Sequence, residues 1–192
     1  MKHPVLTVAV SAVAAVAITI VALGGFGERP TQSIRVAPGE EIDQGMMVYT
    51  VSSATVTYDT TFDAWDVVVT GTVRNPNSES LEPIEAMYGN VIGVDQATEQ
   101  YINDPSYDLG PLREDSYYRR SVLPPQSDWM DIRLTFTLKD PYEPSDTFPV
   151  LFRPMEYRTA YILGYSPDKE WVPKIGECNF VVYVPLTRLP DQ

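Results

Sequence analysis

Histidine is almost missing from this chain: the only one, His3, stands at its start. No Ser-His-Asp or Cys-His arrangement can form in the rest of the sequence. Zinc sites built from His and Cys are excluded for the same reason. The single cysteine, Cys178, has no partner for an intramolecular disulfide, so the fold must rest on its core. Between Glu177 and Asn179 it reads as a small packed residue rather than a reactive thiol. An exported protein without disulfides fits a bacterial envelope better than a eukaryotic secretory route. There is no phosphate loop and no dinucleotide glycine fingerprint. Basic residues are scarce too: 14 Lys and Arg stand against 26 Asp and Glu, a formal charge of −12. Such a field repels nucleic acid and acidic lipid head groups. The expectation is a non-enzyme without a cofactor.

What the sequence does have is one long apolar run. Val5 to Gly25 is 21 residues without a charge. As a helix it spans about 31 Å, the thickness of a hydrocarbon core. Signal-peptide apolar regions are shorter, about 7–15 residues. Lys2, His3 and the free amino group place the N-terminus inside by the positive-inside rule, and everything after Glu28 outside. The alternative is a cleaved signal peptide, with Ala22-Leu23-Gly24 as the cleavage site. No cysteine follows the run, so a lipoprotein anchor is excluded. Thr7, Ser11, Ala15 and Thr19 recur every four residues as a small-residue stripe, the kind that lets a second membrane helix approach. Residues 1–26 are thus expected to be a transmembrane anchor and 27–45 a linker with a first edge segment. Residues 46–192 form the extracytoplasmic domain.

The remainder alternates with a period of two. Trp65, Val67, Val69, Gly71 and Val73 interleave with Asp66, Val68, Thr70 and Thr72. Ile132, Leu134, Phe136 and Leu138 interleave with Arg133, Thr135 and Thr137. Val48 to Tyr58, Phe148 to Phe152, Tyr157 to Leu163 and Phe180 to Leu186 are further β-branched or aromatic strand candidates. Ile34-Arg35-Val36 reads as a short edge strand. No long helical period follows residue 30, and 17 prolines argue for edges and turns. Short strands separated by turn signals predict an all-β fold, a two-sheet sandwich preceded by one N-terminal transmembrane helix.

One order of motifs goes further. Val36-Ala37-Pro38-Gly39-Glu40-Glu41-Ile42 leads to Tyr49-Thr50-Val51-Ser52-Ser53-Ala54. Trp65 to Asn75 follows, and later Leu123-Pro124-Pro125-Gln126-Ser127-Asp128 comes before the Ile132 strand. This resembles the immunoglobulin-like, telokin-like domains of exported and anchored bacterial proteins, especially actinobacterial ones. The resemblance covers residues 36–140. It implies an immunoglobulin-like β-sandwich at the cell surface and no common catalytic residue.

Two functions follow as expectations. One is an interaction module, an accessory subunit or assembly factor of an integral membrane protein complex. It would be contacted through Thr7, Ser11, Ala15 and Thr19 in the membrane. Outside, the contacts would be Tyr107, Tyr117, Tyr118, Arg119 and Arg120 in a Pro-rich, loop-like middle that also holds Tyr88 and Tyr101. Loop tyrosines make rigid contact surfaces, and Arg119-Arg120 is a basic pair amid acid. The alternative is a surface ligand-binding domain for carbohydrate or calcium. Its loop carboxylates would be Asp59, Asp63, Asp66, Asp104, Asp108, Asp128 and Asp131, but the EF-hand spacing is absent, so no metal site is assigned.

Overall fold

The computed structural model describes residues 33–81, 87–110, 122–139, 141–159, 169–174 and 176–191. The chain divides into two compact units, Met1–Gln32 and Ser33–Gln192. The apolar run and its stripe of Thr7, Ser11, Ala15 and Thr19 lie outside the described residues, as do Tyr117, Tyr118, Arg119 and Arg120. Among the described residues no helix is long and apolar enough to cross a membrane.

The second unit is built of strands. In chain order they are β1 (Ser33–Val36), β2 (Ile42–Asp43), β3 (Val48–Asp59), β4 (Ala64–Arg74), β5 (Val91–Val94) and β6 (Tyr101–Ile102). There follow β7 (Ser106–Leu109), β8 (Met130–Lys139), β9 (Thr147–Phe152), β10 (Met155–Thr159), β11 (Lys169–Pro173) and β12 (Asn179–Arg188). Strands β10 and β11 form a separate antiparallel ribbon. The others join in one hydrogen-bonded path, β6-β5-β9-β12-β3-β4-β8-β7, with β1 beside β12 and β2 beside β3.

That path is folded over on itself. Strands β9 and β8 are four places apart along it, about 19 Å if the sheet were flat. Yet the rings of Phe148 on β9 and Phe136 on β8 lie 5.2 Å apart, and Tyr49 on β3 meets Phe152 on β9 at 5.1 Å. The two layers are therefore β6-β5-β9-β12-β1 and β2-β3-β4-β8-β7, facing each other across a core. Strand β12 belongs to both. Its Phe180–Pro185 stretch pairs with β9, and its Leu186–Arg188 end pairs in parallel with Ala54–Val56 of β3.

The alternating strands behave as their pattern dictates. Val67, Val69, Val73, Ile132, Leu134, Phe136 and Leu138 are all buried in the core. The turn at Ala37-Pro38-Gly39-Glu40 closes with Glu40 N donating to Ala37 O at 3.1 Å. Gly39 there has φ +88°, the left-handed value a type II turn requires after proline. Buried Asn75 ends β4 and ties two distant segments together. Its Nδ2 donates to Glu79 O at 2.6 Å and to Pro124 O at 3.0 Å, and Ser127 N donates to Asn75 O at 3.1 Å. The Pro-rich middle expected to be loop-like instead contains β5, β6 and β7. These strands are two to four residues long; β5 pairs with distant β9, β7 with distant β8, and β6 only with β5. Local pattern could not announce them.

Candidate functional site

The outer faces of the two layers differ in kind. On the second layer, registered rows run Ser53–Thr70–Arg133, Thr55–Val68–Thr135 and Thr57–Asp66–Thr137. Hydroxyls and carboxylates there bond one another: Ser53 Oγ lies 2.8 Å from Thr70 Oγ1, and Thr137 Oγ1 donates to Asp66 Oδ1 at 2.7 Å. This is an ordinary solvent face, polar outside and apolar inside.

The first layer does not alternate in this way. Its inward residues are Val182, Val184, Phe148, Val150, Phe152 and Val91. Turned to the other side, one row reads Arg35–Val181–Leu151–Ile92, and in the next Tyr183 pairs with Pro149 and Val94 with Tyr101. Ile92 is 2% exposed and Val181 8%, though neither belongs to the main core. On this face Ile92, Pro149 and Val181 are buried, while Val94 and Leu151 are half-buried.

A groove of about 550 Å³ lies on this face, with Val94, Pro149, Leu151 and Val181 as its apolar lining and Ser33, Arg35, Gln96, Tyr101 and Tyr183 around them. Tyr183 on β12 and Tyr101 on β6 stand on opposite flanks, three strand spacings or about 14 Å apart. The Arg35 guanidinium carbon sits 4.7 Å from the centre of the Tyr183 ring. That geometry is a cation–π contact, which holds the arginine over the sheet. Tyr101 is 65% exposed. Gln96 is held at the rim by two hydroxyls: its Nε2 donates to Thr147 Oγ1 at 3.3 Å and its Oε1 accepts from Ser145 Oγ at 3.3 Å. The turn carrying Gln96 is fixed by buried Asp95, whose Oδ1 accepts from Ala97 N at 2.9 Å. The Asp95 charge and burial together push the Tyr142 phenol up to about 12, burial being the larger cause. Among the described residues no carboxylate lines the groove. In a chain so rich in acid, this patch is locally neutral to positive. What its groups can do is bind: apolar contact across the floor, aromatic contact at the flanks, and hydrogen bonds from Arg35 and Gln96.

Of the residues expected to meet a partner, Tyr107 is the one described. It lies on β7 opposite Leu134 and packs half-buried against the core, so it turns inward and does not line the groove. Tyr101, one of the mid-chain tyrosines, does line it. Arg35, Tyr183 and Gln96 carried no sequence signal of their own. The available signal was the unbroken apolar runs Phe148–Phe152 and Phe180–Val184, which mark strands covered on both faces. The loop aspartates have local tasks. Asp59 Oδ1 accepts from Thr61 N at 2.8 Å, the Tyr58 hydroxyl donates to Asp63, and Asp104 Oδ1 accepts from Gly89 N at 3.0 Å. Among the described residues no three His, Cys, Asp or Glu side chains converge as a metal site.

Fold and groove together define a β-sandwich with a groove on one outer face. No protein-family model matches the chain. No curated protein matches it. Among solved structures it is similar to an uncharacterized β-sandwich protein from Clostridium difficile 630, with a TM-score of 0.48 and 12% identity, covering 81% of this chain and 97% of that one.

Proposed function

We propose that this protein is a membrane-anchored extracytoplasmic interaction module, an accessory subunit or assembly factor of a larger membrane protein complex. Its contact surface is the outer face of the first layer. The observation that carries this reading is the contrast between the two outer faces, one a ladder of Thr, Ser and Asp, the other apolar with tyrosines and an arginine. Water solvates the first at no penalty, whereas the second sets the exposed Tyr101 and Arg35 beside half-buried Val94 and Leu151. The 21-residue apolar run supports the anchor, and the few residues between Gly25 and Ser33 keep the domain near the membrane surface. The sandwich is read as immunoglobulin-like and of the exported actinobacterial kind on its Gly39-Glu40 turn and its Asn75 strand end.

The test is extraction of the tagged full-length protein from its own membrane in mild detergent, with size analysis and mass spectrometry of what accompanies it. A stoichiometric membrane partner is expected. Tyr101→Asp on the groove should reduce its recovery about tenfold or more, while Thr135→Asp on the polar face should leave it unchanged. A monomer that binds a glycan or calcium saturably, with no partner, would transfer the assignment to a surface ligand-binding domain.

A further inference from the structure

Strand pairing shows which residues share an end of the sandwich. Ser33 opens β1 opposite Asn179, which opens β12. Ile34, Phe180, Phe152 and Val91 then form one row across the first layer. Strand β3 runs parallel to β12 with Ala54 opposite Leu186, so its start at Val48 lies where β12 begins. Arg74 pairs with Val48 and Met130 with Val73, which brings the end of β4 and the start of β8 there too. Gln44 ties the layers together at this end. Its carbonyl accepts from Met155 N at 2.6 Å, and its Nε2 donates to Asn90 O at 3.4 Å.

Four large apolar side chains are exposed at this same end: Ile34, Tyr88, Trp129 and Tyr157. Ile34 follows Ser33, Tyr88 comes three residues before Val91, and Trp129 directly precedes β8. Tyr157 lies on the β10–β11 ribbon, which leaves the sandwich just after Phe152. Its ring stands 5.5 Å from that of Trp171, so one face of the ribbon is aromatic. The other face carries the Glu156–Arg158 ion pair at 2.9 Å. A two-stranded ribbon is marginal by itself in water, so cover on its aromatic face stabilises it. Tyrosine and tryptophan, with an apolar body and a polar tip, are the side chains that settle at the head-group level of a bilayer. Phe62, also exposed, stands at the opposite end in the β3–β4 turn.

The covalent chain limits what can cover the Ser33 end. Gly25 closes the apolar run, and the eight residue steps from there to Ser33 reach at most about 28 Å. With residues 5–25 read as a membrane anchor, Ser33 stands no farther than that from the bilayer. Charge does not oppose the contact, because ion pairs stand among these side chains: Arg74–Glu41 at 3.6 Å and Lys174–Glu177 at 3.5 Å join Glu156–Arg158.

We propose that the Ser33 end of the sandwich rests on the lipid interface, with Tyr88, Trp129 and Tyr157 seated among the head groups. This rests on the anchor in the reading above and adds a second membrane contact, made by the folded domain itself. The short tether holds the domain at an effective concentration of about mM at the surface, so a few aromatic side chains are enough to seat it. The contact is aromatic rather than ionic. It needs no anionic lipid and does not weaken with salt.

The experiment places p-benzoylphenylalanine at Tyr88, Tyr157 or Phe62 of the full-length protein and reconstitutes each form into phosphatidylcholine vesicles. Flotation shows that the chain is retained, and a thermal melt that the domain is folded. After irradiation, mass spectrometry reads the addition of one phosphatidylcholine. Positions 88 and 157 should give the adduct about tenfold or more above position 62, at low and high salt alike. Trp129→Asp should lower the yield at both by about threefold or more. The comparison with position 62 stands whether or not that variant folds. Equal yields at all three positions would overturn the proposal, as would adducts that form only with anionic lipid. So would cross-links from 88 and 157 to a second copy, or to a protein when the same forms are irradiated in their own membrane. If the chain floats and both positions stay silent, the lipid contact falls and the accessory-subunit reading stands. If the chain does not float, the anchor falls and the lipid contact with it.

Discussion

Gly93 faces inward from β5 at the place where two phenylalanine rings meet. A Cβ there would stand 2.6 Å from Phe148 Cζ and 2.9 Å from Phe136 Cδ1, closer than packed carbons approach. The aromatic pair that locks the layers together thus occupies the space a side chain would need. Gly93→Ala should destabilise by about 1–3 kcal/mol, read as a lower urea midpoint with an unchanged slope. Two tyrosines report on burial in another way. Tyr49 has no exposed surface and donates its hydroxyl to Met47 Sδ at 3.4 Å; burial raises its pKa well above the ordinary phenol value. Tyr142 is raised to about 12, by burial and by Asp95. In the unfolded chain both lose their protons near pH 10, while the folded protein holds them, so unfolding releases protons. Stability is full below pH 10 and falls as pH rises from there toward 12, by at most about 1.4 kcal/mol per pH unit for each tyrosine. Tyr142→Phe should flatten that decline in a denaturant series run at pH 9 to 12.

At the scale of elements, the strands with clean alternation were legible. Trp65 to Val73 and Ile132 to Leu138 place apolar side chains on one face because the other face meets water. The edge strand at Ile34 and the turns at Gly39 and Asn75 were legible as well, since each depends on chemistry within a few residues. Strands β5 to β7 were not. Two to four residues amid Pro, Asp and Tyr carry no period, and the partners that hold β5 and β7 in the sheets lie far along the chain. The groove stayed hidden for a related reason. It assembles Arg35, Val94, Leu151 and Tyr183 from four strands, and only the register brings them together. The unbroken runs at Phe148 and Phe180 showed strands covered on both sides without saying by what. Strand β12 is the element that this architecture can least spare. Deleting residues 179–192 should expose the edges of β9, β1 and β3 together and leave no protease-resistant core in limited digestion, whereas Tyr101→Asp should leave that core intact.

For the whole molecule, the acidic excess outweighs the one cation, Arg35, among the described residues of the groove. After Gly25 the chain carries 13 basic and 26 acidic residues, so copies of the domain repel one another and remain soluble.

The double membership of β12 also sets an order in time. Ser33 pairs with Asn179, and Ala54 with Leu186, so both layers wait for a strand made after all the others. During synthesis, the chain upstream of Asn179 has no partner for β1 and no link between its layers. Contacts so distant in sequence form slowly and only once β12 has been made. For a domain that we propose is exported across a membrane, this lateness would be useful. On that proposal the two layers are joined only after β12 has emerged on the far side.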